Sequence, residues 1–246
     1  MNPSGKVVLI TGAKRIGAVV AETLAGLGAD ISRVYNRARA HAEQVVATVE
    51  GLGRRAIATQ ANVTVAADCT AVVETTVSEL GRLDVLVNMA SLYVKTPFDD
   101  LSEDDLDRAL DVDLRGAYLC TRAAVPHMRL VGGGRVVNFS DWVARSGRPR
   151  YPGYLPYYVA KAAIVGLTEA LAFELAADGI LVNAIAPGPI LPPPDLSPGE
   201  IETIARGTPV GRWGGAEEVA KAVVAMVESD FMTGETIRID GGRHLK

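Results

Sequence analysis

The pentapeptide YYVAK, residues 157–161, sets a phenol and an ammonium four positions apart at the head of an apolar stretch. In a helix, that spacing puts both side chains on one face, with Cβ atoms about 5–6 Å apart. Charges brought to about 4 Å attract by on the order of 4 kcal/mol at an effective dielectric near 20, enough to draw the Tyr157 hydroxyl toward neutrality. Such a phenol exchanges a proton with a carbonyl oxygen or a ring nitrogen while a nicotinamide delivers hydride. Tyr158 finds only Ala162 at the same spacing, so Tyr157 is the expected proton donor and Lys161 its modulator. A surface tyrosine with an unrelated lysine has the same pattern, so the motif needs company.

That company begins at TGAKRIG, residues 11–17, between an apolar run and a helical pattern. Gly12 lets the chain turn off a strand, and Gly17 permits close packing of the next helix, whose free N–H groups and dipole favour a pyrophosphate. A mere tight connection reads the same way. The end of the second strand, VYNRAR, tips the balance, because Asn36 and Arg37 stand where NAD-specific folds keep an acid for the ribose hydroxyls. An acid would repel a 2′-phosphate, whereas Arg15 and Arg37 can bind it through charge-assisted bonds. The expected cofactor is therefore NADP(H), with two solvated surface arginines as the competing reading.

The elements that must position these groups alternate regularly. Strands are predicted over 6–11, 30–35, 55–61, 83–88, 134–140, 181–185 and 235–239, and helices over 16–27, 38–52, 66–80, 103–128, 157–177 and 216–227. Strands joined by helices run parallel, and their near-continuous apolar character means that both faces are covered. This predicts an α/β fold: a doubly wound parallel sheet of Rossmann type, about seven strands with helices on both faces, forming one domain over 1–246. The proline-rich segment after the sixth strand is expected to be a substrate lid, about 189–214, because ligands bind beyond the carboxyl ends of such strands.

Bulk properties narrow the function. A net charge of −4 offers no basic surplus for nucleic acid. No apolar run approaches the roughly 18 residues of a membrane span. Cys69 and Cys120 lie outside any CxxC spacing, and the chain enters a strand without an apolar leader, which makes the cytoplasm the expected compartment. His41, His127 and His244 lack ligand spacing, so no metal is expected. The expected partner is a small-molecule substrate.

Taken together, TG…RIG, VNMAS, YYVAK, VNAIAPGPI and TGETIRIDGG resemble, in order and approximate separation, the short-chain dehydrogenase/reductase family over nearly the whole chain. In detail the sequence looks most like the pteridine reductase branch and its bacterial relatives, which use NADPH. The resemblance implies Tyr157 as proton donor and Lys161 as ribose ligand. It implies that Asn88, Ala90 and Ser91 line the cofactor with Ile16, Asn62 and Val63, and that Pro187, Gly188 and Ile190 abut the nicotinamide. It also implies a homo-oligomer, a dimer or tetramer, built on the helices at 103–128 and 157–177. Their alanine-rich faces (Ala117, Ala123, Ala124; Ala160, Ala163, Ala170) permit close approach, between chains or onto the sheet.

Departures from the family pattern carry chemistry of their own. Asp113 replaces the asparagine of a water-linked proton relay, and an ionised carboxylate cannot donate as an amide does. Asn62 stands for an adenine-contacting aspartate and Met89 for a second asparagine. The family's serine, counted back from Tyr157, falls on Ala144, but counted from strand residue Asn138 it falls on Asp141. Loops absorb insertions more readily than strand ends, which favours Asp141 and an insertion of three residues before Tyr157. Ser140 is the fallback, although alternation points it to the opposite face. A carboxylate there accepts from the N–H groups of a pterin-like ring, or caps the turn. Tyr93 and Trp142 either stack on a flat substrate or pack internally, and Leu191 belongs to the substrate wall. The expectation is an NADPH-dependent reductase of C=N or C=O, a dihydropteridine first, with a ketone or 3-oxoacyl thioester as the alternative. The rival of another class is a nucleotide-binding regulatory protein that has lost catalysis.

Overall fold

In the computed structural model, which describes residues 1–12, 14–147, 149–194 and 196–246, seven parallel strands form a single sheet. Ala13 of the first turn, Arg148 of the loop after the fifth strand and Asp195 of the lid lie outside the described residues. The strands are β1 (Val7–Gly12), β2 (Asp30–Tyr35), β3 (Ala56–Gln60), β4 (Val85–Met89), β5 (Gly134–Phe139), β6 (Ile180–Pro187) and β7 (Thr236–Ile239), in spatial order β3-β2-β1-β4-β5-β6-β7. The helices are α1 (Lys14–Gly26), α2 (Arg39–Gly51), α3 (Ala66–Leu80), α4 (Glu103–Ala109), α5 (Gly116–Leu130), α6 (Trp142–Arg145), α7 (Leu155–Leu175), α8 (Pro198–Gly207) and α9 (Ala216–Glu228).

Strand alternation sorts the core into two layers. Val8, Ile10 and Ile31 face Val20 and Leu24 of α1 and Val219 and Val223 of α9. Leu9, Leu86, Val136 and Val182 face Val72 of α3 and Leu119 and Ala124 of α5. Both faces are therefore dry, which is why these strands read as continuous apolar runs. The strand order reverses between β1 and β4, and the crevice beyond their carboxyl ends is the place where such a sheet binds its ligand.

Two segments differ from the sequence-based expectation. Residues 103–128 do not form one uniform helix: α4 passes into a π-helical segment, Leu110–Arg115, before α5 begins. A π segment interrupts the 3.6-residue period and re-aims one side chain, here Asp113, which becomes fully buried. The lid is not wholly irregular either, since α8 lies within it. Ser197 and Glu200 form a reciprocal capping box there, and Pro198 sits at its first position. No helix among the described residues is long and apolar enough to cross a membrane. The alanine-rich faces are partly spent within the chain, with Ala117, Ala124 and Ala160 buried.

Candidate active site

Gly12 ends β1 with φ +63°, and a Cβ there would lie 2.4 Å from the Ala90 Cα. The close approach of these two backbones forms the floor of the crevice, which only glycine permits. Helix α1 starts just beyond, so Arg15 and Ile16 fall in its first turn, where free N–H groups favour an anion. Arg15 is exposed and donates to the Pro192 carbonyl at 3.3 Å, tying the turn to the lid. Arg37 is exposed, and its guanidinium makes no hydrogen bond or ion pair among the described residues. Beside it, the Asn36 carbonyl accepts from Gln60 Nε2.

Other expected cofactor residues line the same rim. Asn62 accepts from both the backbone N–H and the hydroxyl of Thr64, so its side chain shapes the turn into α3. Val63 packs against Gly116, at the start of α5. Pro187 and Gly188 close β6, with the Gly188 N–H donating to the Ile239 carbonyl. Ile190 is buried, and Leu191 packs half-buried against the same core cluster. Asn88, expected to line the cofactor, turns its amide nitrogen inward to Asn138 at 2.9 Å and toward Thr121. It braces β4 against β5 and α5.

The reactive centre forms where β5 ends and α7 begins. Tyr157 donates its hydroxyl to Asp141 Oδ2 at 2.8 Å, and Asp141 Oδ1 accepts from the Val143 N–H, which caps α6. Asp141, rather than Ser140, faces the tyrosine. Ser140 turns to the other side as alternation predicts, and donates to the Lys161 carbonyl at 2.8 Å, locking α7 onto β5. Asp141 thus caps the turn with one oxygen, which is one of the two roles weighed for it, and with the other it engages Tyr157, a contact neither role included.

Lys161 is buried and uses two of its three N–H groups on the Phe139 carbonyl and on Asp113, each at 2.8 Å. Asp113 also accepts from the Ser91 hydroxyl at 2.6 Å and the Leu92 N–H at 2.9 Å. It therefore ties the π segment, the loop after β4 and α7 together. Asp113 acts through Lys161 and is a positioning residue, and Ser91, turned toward it, supports that clamp.

This charge balance overturns one expectation. Lys161 lies 5.7 Å from the Tyr157 ring centre, but its charge is answered by Asp113. The Tyr157 hydroxyl is consequently not acidified; burial first, and then the charge and hydrogen bond of Asp141 with the charge of Asp113, push it well above its ordinary value. Asp141 is itself raised, by burial, against the lowering influence of the Val143 N–H, Tyr157 and Lys161. Both shifts favour the protonated forms of two neighbouring groups, the direction an acid pair requires.

Aromatic rings frame the entrance. Tyr93 stacks on Tyr154 with ring centres 4.7 Å apart and meets Tyr157 edge-on at 4.9 Å, yet remains 55% exposed. Tyr154 carries no motif in the sequence, although the run RYPGYLPYY crowds four tyrosines into nine positions of one loop and helix start. Trp142 is corrected as a substrate contact: it is buried, packed against Tyr151 and beneath the Arg150 guanidinium. Among the described residues no group of histidine, cysteine and acidic side chains could hold a metal ion.

Comparisons with known proteins agree with this geometry. The profile of a family described as enoyl-(acyl carrier protein) reductase matches residues 12–244. The chain is 40% identical to the short-chain reductase protein NovJ of Streptomyces niveus, over 96% of this chain and 93% of that protein. It is 35% identical to a 3-oxoacyl-[acyl-carrier-protein] reductase of Synechocystis, over 97% of each. A blue fluorescent protein from a metagenomic library, solved in complex with NADPH, superposes with a TM-score of 0.89 at 31% identity, over 99% of each chain. These matches establish the family without singling out its pteridine reductase branch. The chain belongs to the short-chain dehydrogenase/reductase family of oxidoreductases, which work with a nicotinamide cofactor.

Proposed function

We propose that this protein is an NADPH-dependent reductase of a C=O or C=N group in a small molecule, with Tyr157 and Asp141 together supplying the proton. The observation that carries the reading is the 2.8 Å hydrogen bond from the Tyr157 hydroxyl to a carboxylate in a partly buried site. The residues present fit the cofactor: the glycine cradle at Gly12 accommodates a backbone approach that any Cβ would fill, and the second strand ends in Asn36 and Arg37 rather than in a carboxylate that would repel a 2′-phosphate. Arg15 and Arg37 would hold that phosphate, the first turn of α1 with Gly17 the pyrophosphate, and the third N–H of Lys161 a ribose hydroxyl. Pro187, Gly188 and Ile190 would wall the nicotinamide, which supplies the hydride when bound.

The chain's own part is proton management. While Asp141 is ionised, the Tyr157 proton is held on it and is not free for a substrate oxygen. Once Asp141 is protonated, it donates to the phenol oxygen, and the Tyr157 O–H turns to the carbonyl. As that oxygen gains charge, Tyr157 gives it a proton and takes the one from Asp141, leaving a carboxylate that recovers its proton from water. Asp113 holds Lys161 in place throughout without joining the transfer.

A 3-oxoacyl thioester is the first substrate on the strength of the Synechocystis relative's name. A dihydropteridine is the second, favoured by the exposed Tyr93 ring, stacked on Tyr154 beside the acid pair. We further propose a homo-oligomer, because α5 and α7 expose Tyr118, Val159 and Phe173. Steady-state rates following NADPH absorbance, with acetoacetyl thioester and dihydrobiopterin in parallel, test the reading. Turnover of either supports reduction at this site, and background rates with both and with a panel of ketones and quinones favour the regulatory protein.

A further inference from the structure

We propose that Arg33 is a cofactor-positioning residue, a buried guanidinium beneath the first turn of α1 that strengthens binding of the dinucleotide's phosphates. The inference rests on the dinucleotide reading above and adds a residue that no motif marks. Arg33 sits in the middle of β2, paired with Ile10 and Ala58, on the same face as Ile31, which packs into the core under α1. An aliphatic residue would suit that position, yet a guanidinium occupies it and is only 3% exposed.

Its terminal nitrogens reach the nucleotide turn. A Cβ on Gly17 would lie 2.9 Å from one and 3.1 Å from the other, and 3.2 Å from the Gly12 carbonyl. Gly17 therefore leaves room for the guanidinium, which fills the angle between the end of β1 and the start of α1. Burial lowers the Arg33 pKa to about 10, so the group stays cationic at neutral pH. Because the guanidinium is buried, salt screens it little, and its charge acts on an anion seated on the turn above it. Arg15 and Arg37, by contrast, are exposed and screened by salt, and suit the 2′-phosphate at the rim.

The two roles separate by ligand. Arg33→Met and Arg33→Gln, with melting curves to establish folding, are titrated calorimetrically with ADP, adenosine, NADPH and NADH. The expected result is an ADP affinity about tenfold weaker, the loss of one charge-assisted interaction, with adenosine within twofold of wild type. NADPH and NADH should weaken by one common factor, and Arg33→Lys should recover most of the loss. Unchanged ADP affinity in a folded neutral variant overturns the proposal, as does equal weakening of ADP and adenosine, which marks collapse of the turn. So does unfolding of both neutral variants combined with an Arg33→Lys protein that folds and loses ADP as completely. Wild-type protein that binds none of these nucleotides removes the dinucleotide reading itself, whereas wild-type binding shared by the variants removes only the role of Arg33.

Discussion

Replacing Asp141 by asparagine changes one charge and almost no volume, and the consequence depends on pH. A tyrosinate 2.8 Å from an ionised carboxylate, the separation of Tyr157 and Asp141, would be opposed by about 6 kcal/mol at an effective dielectric of 20. Lys161 offsets part of that, but Asp113 claims the Lys161 charge in turn. If about a quarter survives, roughly 1.5 kcal/mol, a step that creates the tyrosinate slows about tenfold. In the wild type this penalty applies only where Asp141 is ionised, so reduction should fall as pH rises through the elevated Asp141 pKa. In Asp141→Asn the amide is neutral and offers an N–H to the phenolate, and the falling limb should move to higher pH. Turnover with saturating NADPH, measured from about pH 5 to 9.5, should show the variant overtaking wild type by about tenfold at the alkaline end. At the acid end it should be equal or slower, having lost the proton reserve. Superimposable profiles, or a rate ratio constant across the range, would refute the reasoning.

The same substitution reads out in stability. Because the folded-state pKa of Asp141 is raised, its protonated form contributes stability that is present in full below the unfolded value and is lost as pH rises through the folded one. The Tm of Asp141→Asn minus that of wild type should therefore grow with rising pH, and a difference that shrinks contradicts the direction assigned to Asp141. Arg15→Ala with Arg37→Ala should weaken NADPH by about 10–100-fold and leave NADH within threefold, as fluorescence titration would show; equal losses would place the arginines elsewhere. Light scattering should give two or four times the 25.9 kDa chain mass, and a monomer would remove the oligomer.

Legibility from sequence followed burial. The strands could be read because both sheet faces are covered, so Val85 to Val87 and Val136 to Val137 appear as uninterrupted apolar runs. The helix over 103–128 was read as regular because a single π segment leaves the apolar period nearly intact on either side. Helix α8 was obscured by the prolines around it, although Ser197, Pro198 and Glu200 spell a capped start. At the active site, the count from Asn138 placed Asp141, since strand ends move less than loops. The neutralisation of Lys161 was not readable: Asp113 lies on another helix, and only the folded π segment brings its carboxylate within 2.8 Å. Arg33 escaped notice for a similar reason, as a charged residue in a strand reads as solvent-facing until α1 is laid over it.

The most direct measurement is single-turnover NADPH oxidation by wild type and Tyr157→Phe with the best substrate of the screen, alongside NADPH binding by both. The account predicts equal NADPH affinity within threefold and a chemical step slowed by about a thousandfold, the scale of a lost general acid. A phenylalanine variant that oxidises NADPH as fast as wild type would contradict it.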